Sequence, residues 1–165
     1  MTCKLLKNIT HTCEYNPGGI IAVYLLDIRD FVSYRFADDS LFHSGYVSSI
    51  KSDEPFREIG AVNESSFSET YDNGVYNQQL TTFVRTLSGE KLSDLLVAAN
   101  SRHIAAFRNS QGKVYCCGSD GGASLSFTQI SGQTGETSGY QVTIAKESVY
   151  PLFETDARRF NTIPV

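Results

Sequence analysis

Apolar residues in this chain come in short runs separated by turn residues, the pattern of a β protein, with one exception at helical spacing. After the breaker Asn16-Pro17-Gly18-Gly19, residues 20–28 form a nearly continuous apolar run and predict a buried strand. Residues 30–36 continue in extended form. A period of two puts Phe31, Ser33 and Arg35 on one face and Val32, Tyr34 and Phe36 on the other. A turn at 37–40 precedes strand candidates at 42–50, 56–62 and 66–71. Asp72-Asn73-Gly74 marks a tight hairpin turn, because Asn-Gly accepts positive φ at both central positions. The pattern therefore pairs 66–71 with a long strand at 75–87.

The exception is one amphipathic helix at about 89–100, where Leu92, Leu95, Leu96 and Ala99 fall on a narrow stripe that predicts packing on a sheet. Ser88 can cap its start, Glu90 suits the positive end of the helix dipole, and Asn100 can stop it. A second hairpin joins 103–108 to 113–118 across Asn109-Ser110-Gln111-Gly112. A turn at 119–122 leads to a strand at 123–130, and 131–138 is polar and Gly-rich, an exposed loop. Residues 139–144 alternate cleanly, which predicts Tyr140, Val142 and Ile144 as the buried side. Pro151 closes the regular part. The reading is one domain over 1–165, mainly β, a sandwich or small barrel, with extended segments at 1–19 and 152–165. The C-terminal segment reads as an arm resting on something else.

Composition changes this picture in one respect. Apolar residues reach 41%, enough for a core, while charged residues make up only 19%, which suits a surface covered by neighbouring subunits. The net charge is −4 and the longest cationic block is Arg158-Arg159, so specific nucleic-acid binding is not expected. Mild acidity remains compatible with lining a DNA channel. The apolar run 20–26 is too short to cross a bilayer, so no membrane partner is expected. The start of the chain lacks the apolar stretch of an export signal, and Cys3, Cys13, Cys116 and Cys117 are read as reduced thiols.

Cys3, His11 and Cys13 resemble half of a zinc site, without a second half. Cys116 and Cys117 adjoin on a strand and so point to opposite faces. Gly118-Ser119-Asp120-Gly121-Gly122 lacks the Lys of a phosphate loop and reads as a turn. His103 reads as a satisfied sheet histidine, and His43 beside Ser44 faces away from it. Asp38-Asp39 lacks the alternating oxygens and distal Glu of a calcium loop. No catalytic, cofactor-binding or metal residues are assigned, no cofactor is expected, and the protein is read as not an enzyme.

Several segments resemble a known group. They are Glu64-Ser65-Ser66-Phe67-Ser68-Glu69-Thr70 through Tyr76-Asn77-Gln78-Gln79-Leu80, the helix, Arg102-His103-Ile104-Ala105-Ala106-Phe107-Arg108 through Tyr115, Gly118 through Ala123, and Ser138-Gly139-Tyr140-Gln141-Val142-Thr143-Ile144 with Tyr150-Pro151-Leu152-Phe153. Together they resemble virion neck and tail proteins of phages that infect gut Bacteroidetes, the crAss-like phages among them. The resemblance covers about 20–153. It implies a tail-tube-like fold and a ring-forming subunit of the neck, collar or tail tube, located in the virion after assembly in the host cytoplasm. Its implied partners are copies of itself in a homo-oligomeric ring and adjacent or portal-proximal neck and tail proteins. Asn77, Gln78, Gln79, Thr81 and Thr82 would then form an uncharged wall on the channel. The alternative is a β-sandwich module that recognises carbohydrate or a host surface through Tyr-rich loops. A small hydrolase ranks third.

Overall fold

A computed structural model describes residues 18–36, 46–60, 65–118 and 120–156 of the chain. The architecture is mainly β with one helix, as the pattern predicts. The strands are β1 (Ile20–Asp27), β2 (Phe31–Phe36), β3 (Tyr46–Ser52), β4 (Arg57–Ile59), β5 (Ser66–Asp72), β6 (Val75–Arg85), β7 (Arg102–Asn109), β8 (Val114–Cys117), β9 (Ala123–Ser131), β10 (Ser138–Ser148) and β11 (Phe153–Thr155). The helix α1 is Gly89–Ala99. The strands form one hydrogen-bonded sheet that folds over on itself into a sandwich.

Strand β7 is the centre. Along one edge it pairs with β1, from Ile20↔Asn109 to Asp27↔His103. On the other it pairs with β8, and at its start with β9 through Arg102↔Ser124 and His103↔Ala123. From β9 the sheet continues as β9-β10-β6-β5 and turns back over β1 and β7. The space between holds the larger core, including Val23, Leu80, Phe107, Leu125, Val142 and Ile144. Behind β7 lies a smaller core of Ile50, Ala106, Val114, Cys116 and Phe153, with Phe31, Tyr34 and Phe56 against it. Every residue from His103 to Phe107 is buried, because both faces of β7 are covered.

Several expectations hold. The β5–β6 hairpin turns at Asn73 (φ 51°) and Gly74 (φ 84°), the positive angles that Asn-Gly accepts. In β10, Tyr140, Val142 and Ile144 are buried while Gln141 is exposed. Ser88 caps α1 by accepting from the Lys91 amide at 3.2 Å. Cys116 and Cys117 face different cores.

Others are corrected. The first strand stops at Asp27, where a 3-10 turn (Ile28–Asp30) intervenes. The simple alternation of β2 fails because its pairing with β3 slips between Phe31 and Ser33. That bulge brings Phe31 and Tyr34 to the same core, rings 5.0 Å apart, and leaves Val32 and Ser33 exposed. The buried stripe of α1 is Leu92, Leu95 and Ala98, while Leu96 and Ala99 are exposed. The segment from 152 does not begin as a free arm. Phe153–Thr155 is a strand seated between β8 (antiparallel) and β3 (parallel), with Phe153 and Thr155 buried. A Phe buried this way contributes roughly 1.5–3 kcal/mol of burial energy, which explains why three residues hold their place. The expectations at 1–17, 37–45, 61–64 and 157–165 lie outside the described residues.

Candidate functional site

The outward side of the four-stranded layer is the most distinctive surface. Antiparallel register stacks its residues in rows across the strands, and residues directly opposite share a face. One row is Ser66–Thr81–Thr143–Ser126, and the next is Ser68–Gln79–Ala145–Ser124. A third is Thr70–Asn77–Glu147, and Phe83–Gln141–Thr128 lies at the other end. None of these side chains is buried; Glu147 is the one charge within the four rows as they cross these strands, and the second row runs on from Ser124 to the exposed Arg102 of β7. The five residues expected to form one wall, Asn77, Gln78, Gln79, Thr81 and Thr82, divide between the two sides of β6. Asn77, Gln79 and Thr81 face out. Gln78 and Thr82 face in and are buried, as the two-residue period requires.

The inner side of the same strands explains why the outer side is free to be polar. The row Phe67–Leu80–Ile144–Leu125 and the row Thr82–Val142–Phe127 fill the larger core. At one end of β5 the Glu69 carboxylate accepts from Gln78 Nε2 at 2.7 Å and from the Leu152 amide at 2.8 Å, tying the chain ahead of β11 to the layer. A methyl group on Gly139 would collide with the Val84 carbonyl oxygen, so β10 and β6 approach closely at that point. Among the described residues strand β5 pairs with β6 alone, so its outer edge, seven residues long, has no partner strand among them.

A second feature is an open groove of about 700 Å³ between α1 and the β1–β4 corner. Two anchors set the helix beside it. The Tyr140 hydroxyl, on a residue 1% exposed, donates to the Ser88 carbonyl at 2.9 Å. At the other end His103 Nε2 donates to the Ala98 carbonyl at 2.8 Å, a direction fixed because a carbonyl can only accept. The floor is apolar, with Leu25, Ile59, Val84 and Leu95, and the rim is charged. There the Arg29 guanidinium holds the Asp27 carboxyl near 2, below its usual 3.8.

The sequence candidates for chemistry do not converge. Cys3, His11, Cys13, Asp38, Asp39, His43 and Ser44 lie outside the described residues. Among the described residues, no group of three His, Cys, Asp or Glu side chains is placed to hold a metal. Burial pushes the Cys116 thiol up to about 12 and moves Cys117 in the same direction, so neither is a thiolate near neutrality. The Gly122 amide donates to the Gly118 carbonyl at 2.8 Å, and Ser119 lies outside the described residues. No helix among the described residues is long and apolar enough to cross a membrane.

Sequence reasoning saw the polar character of β6 but missed the contributions of β5, β9 and β10, because register across strands is not written in any one of them. It also missed the groove. The unequal burial of Leu95 and Leu96 is decided by where the helix sits, not by its stripe.

Comparison with known proteins gives no further guide: no family model, no curated protein and no solved structure matches the chain.

Proposed function

We propose that the protein is a structural subunit of a phage particle, a ring-forming component of the neck, collar or tail tube. The observation that carries this reading is the outward face of the β9-β10-β6-β5 layer. Its rows are built mostly from Ser, Thr, Asn and Gln, with Glu147 among them and a single cation, Arg102, where the second row meets β7. A wall along which DNA slides must not hold phosphate, and each cation in contact with the backbone would add a salt-dependent grip. Ser, Thr, Asn and Gln keep such a wall wetted without that grip.

The free edge of β5 supports the same reading. An exposed edge of seven residues invites aggregation unless a partner strand takes it up. In a ring, each copy offers an edge to the next and the contact closes by rotation. The resemblance of segments across 20–153 to virion neck and tail proteins points the same way.

Mass spectrometry of gradient-purified particles of the encoding phage, with negative-stain images of their necks and tails, tests this. The expected result is the chain present in multiple copies per particle. Its absence from the particle would sink the proposal.

A second reading is kept for one observation. Tyr71 and Tyr150 are 63% and 50% exposed at one end of the sandwich, and Tyr71 lies 4.8 Å from the Tyr76 ring. Aromatic faces of this kind suit a sugar. Specific signals on a glycan array would favour this binding module. The other described tyrosines do not support it, since Tyr24, Tyr34, Tyr76 and Tyr115 are half-buried and Tyr140 is in the core.

A further inference from the structure

We infer that the groove between α1 and β4 receives the C-terminal segment of a second copy of this chain, residues 157–165. This rests on reading the protein as an assembling subunit, and it adds the contact by which one subunit grips another.

The groove has an apolar floor and an acidic balance. Leu25, Ile59, Leu95 and Val97 line it, with Val97 70% exposed on α1. Its rim carries five carboxylates, on Asp27, Asp30, Glu54, Glu58 and Asp94, against three cations, on Arg29, Arg57 and Lys91. The cations are occupied. Arg29 pairs with Asp27 at 2.7 Å, Arg57 with Glu54 at 3.8 Å, and Lys91 Nζ donates to the Arg85 carbonyl at 2.6 Å. Glu58 and Asp94 have no ion-pair partner among the described residues. An occupant that satisfies this surface brings two positive charges followed by apolar side chains.

The sequence supplies one such segment: Ala157-Arg158-Arg159-Phe160-Asn161-Thr162-Ile163-Pro164-Val165. Arg158-Arg159 is the longest cationic block in the chain, and Phe160, Ile163 and Val165 follow within six residues. Arginines against surface carboxylates, with an aromatic anchor on an apolar floor, combine electrostatic steering with a buried hot spot.

Reach favours a second copy. Glu58 lies four strands from β11, in the order β11-β8-β7-β1-β4. That is roughly 19 Å along the sheet at the usual strand spacing. The same chain's Arg159 follows Thr155 by four residues, about 14 Å at full extension, so it would meet Glu58 only with both its backbone and its side chain outstretched. A neighbouring subunit carries no such ordering cost.

The test is photo-cross-linking of the full chain carrying Phe160→p-benzoylphenylalanine, prepared as a mixture of isotopically light and heavy protein. Mixed light–heavy cross-links from position 160 to peptides of β4 or α1 are expected. Their yield should fall at least tenfold in the Glu58→Lys/Asp94→Lys variant, both positions being exposed, with circular dichroism confirming that the variant folds. Yield should recover when that variant is mixed with Arg158→Glu/Arg159→Glu chains. Cross-links within one chain, cross-links to another surface, no cross-links, or a yield indifferent to the charge reversals would each overturn the inference. None of these outcomes bears on whether the chain is found in the virion, so the two proposals fail separately.

Discussion

Strands β7 and β10 are both long and rich in strand-forming residues, yet they obey different rules. In β10 burial alternates, with Tyr140, Val142 and Ile144 inside and Gln141 outside. In β7 five successive residues, His103 to Phe107, are buried. The difference is one of position. Strand β7 stands between two cores, and β10 stands between one core and the outer face. What an outward residue of the β9-β10-β6-β5 layer is for cannot then be packing, and this is why that face is the place to look for function.

Substitutions can break this comparison most sharply in the core. Phe107→Ala is expected to cost about 3–5 kcal/mol and Ile104→Ala about 2–5, although they lie on opposite faces of β7. On β10, Ile144→Ala should cost about 2–5 kcal/mol while its neighbour Thr143→Ala stays within about 0.5. Urea unfolding of the four variants measures all of these. Equal effects at 143 and 144 would mean that the outer face is also packed.

The smaller core extends the comparison to the chain's end. Phe153→Ala should destabilise by about 3 kcal/mol, and a chain ending at Leu152 should fail to fold while one ending at Asp156 folds. Circular dichroism melts of the two truncations decide this. If both fold alike, β11 is only laid on the surface.

A smaller effect is expected at the helix. Ser88→Ala removes the cap of α1 and should cost about 1 kcal/mol, read from the shift in urea midpoint. No shift would mean that the Tyr140 anchor alone holds that end.

The smallest belongs to the surface pair Asp27–Arg29. Its Asp27 carboxyl falls from 3.8 to about 2 on folding. A depressed acid stabilises above its unfolded value and loses that contribution as pH falls. Asp27→Asn should therefore cost well under 1 kcal/mol at neutral pH, given the exposure of Arg29, and match the parent near pH 2. A gap that persists at pH 2 would show that the substitution acts through the 3-10 turn that Asp27 caps rather than through charge.

Local chemistry made the β5–β6 hairpin, the α1 cap and the β10 alternation legible, because each depends on residues close in sequence. Asn73-Gly74 carries its own turn, and Ser88 reaches its partner amide three residues on. Features that depend on distant partners were not legible. Phe153–Thr155 becomes a strand only because β8 and β3 offer it edges, through Val114 and Val47, 41 and 108 residues before Thr155, and three residues have no period of their own. The β2 bulge arises in its pairing with β3, and the outer wall exists only once four strands stand in register.

The wall is also where the account is most exposed. Cryo-electron microscopy of the purified phage particle, resolved well enough to place this chain, tests it most directly. The account predicts a ring in which Gln79, Gln141 and Ser126 face the channel axis and the β5 edge pairs with the next copy. A ring with that face turned outward, or with the β5 edge left open to solvent, would contradict it.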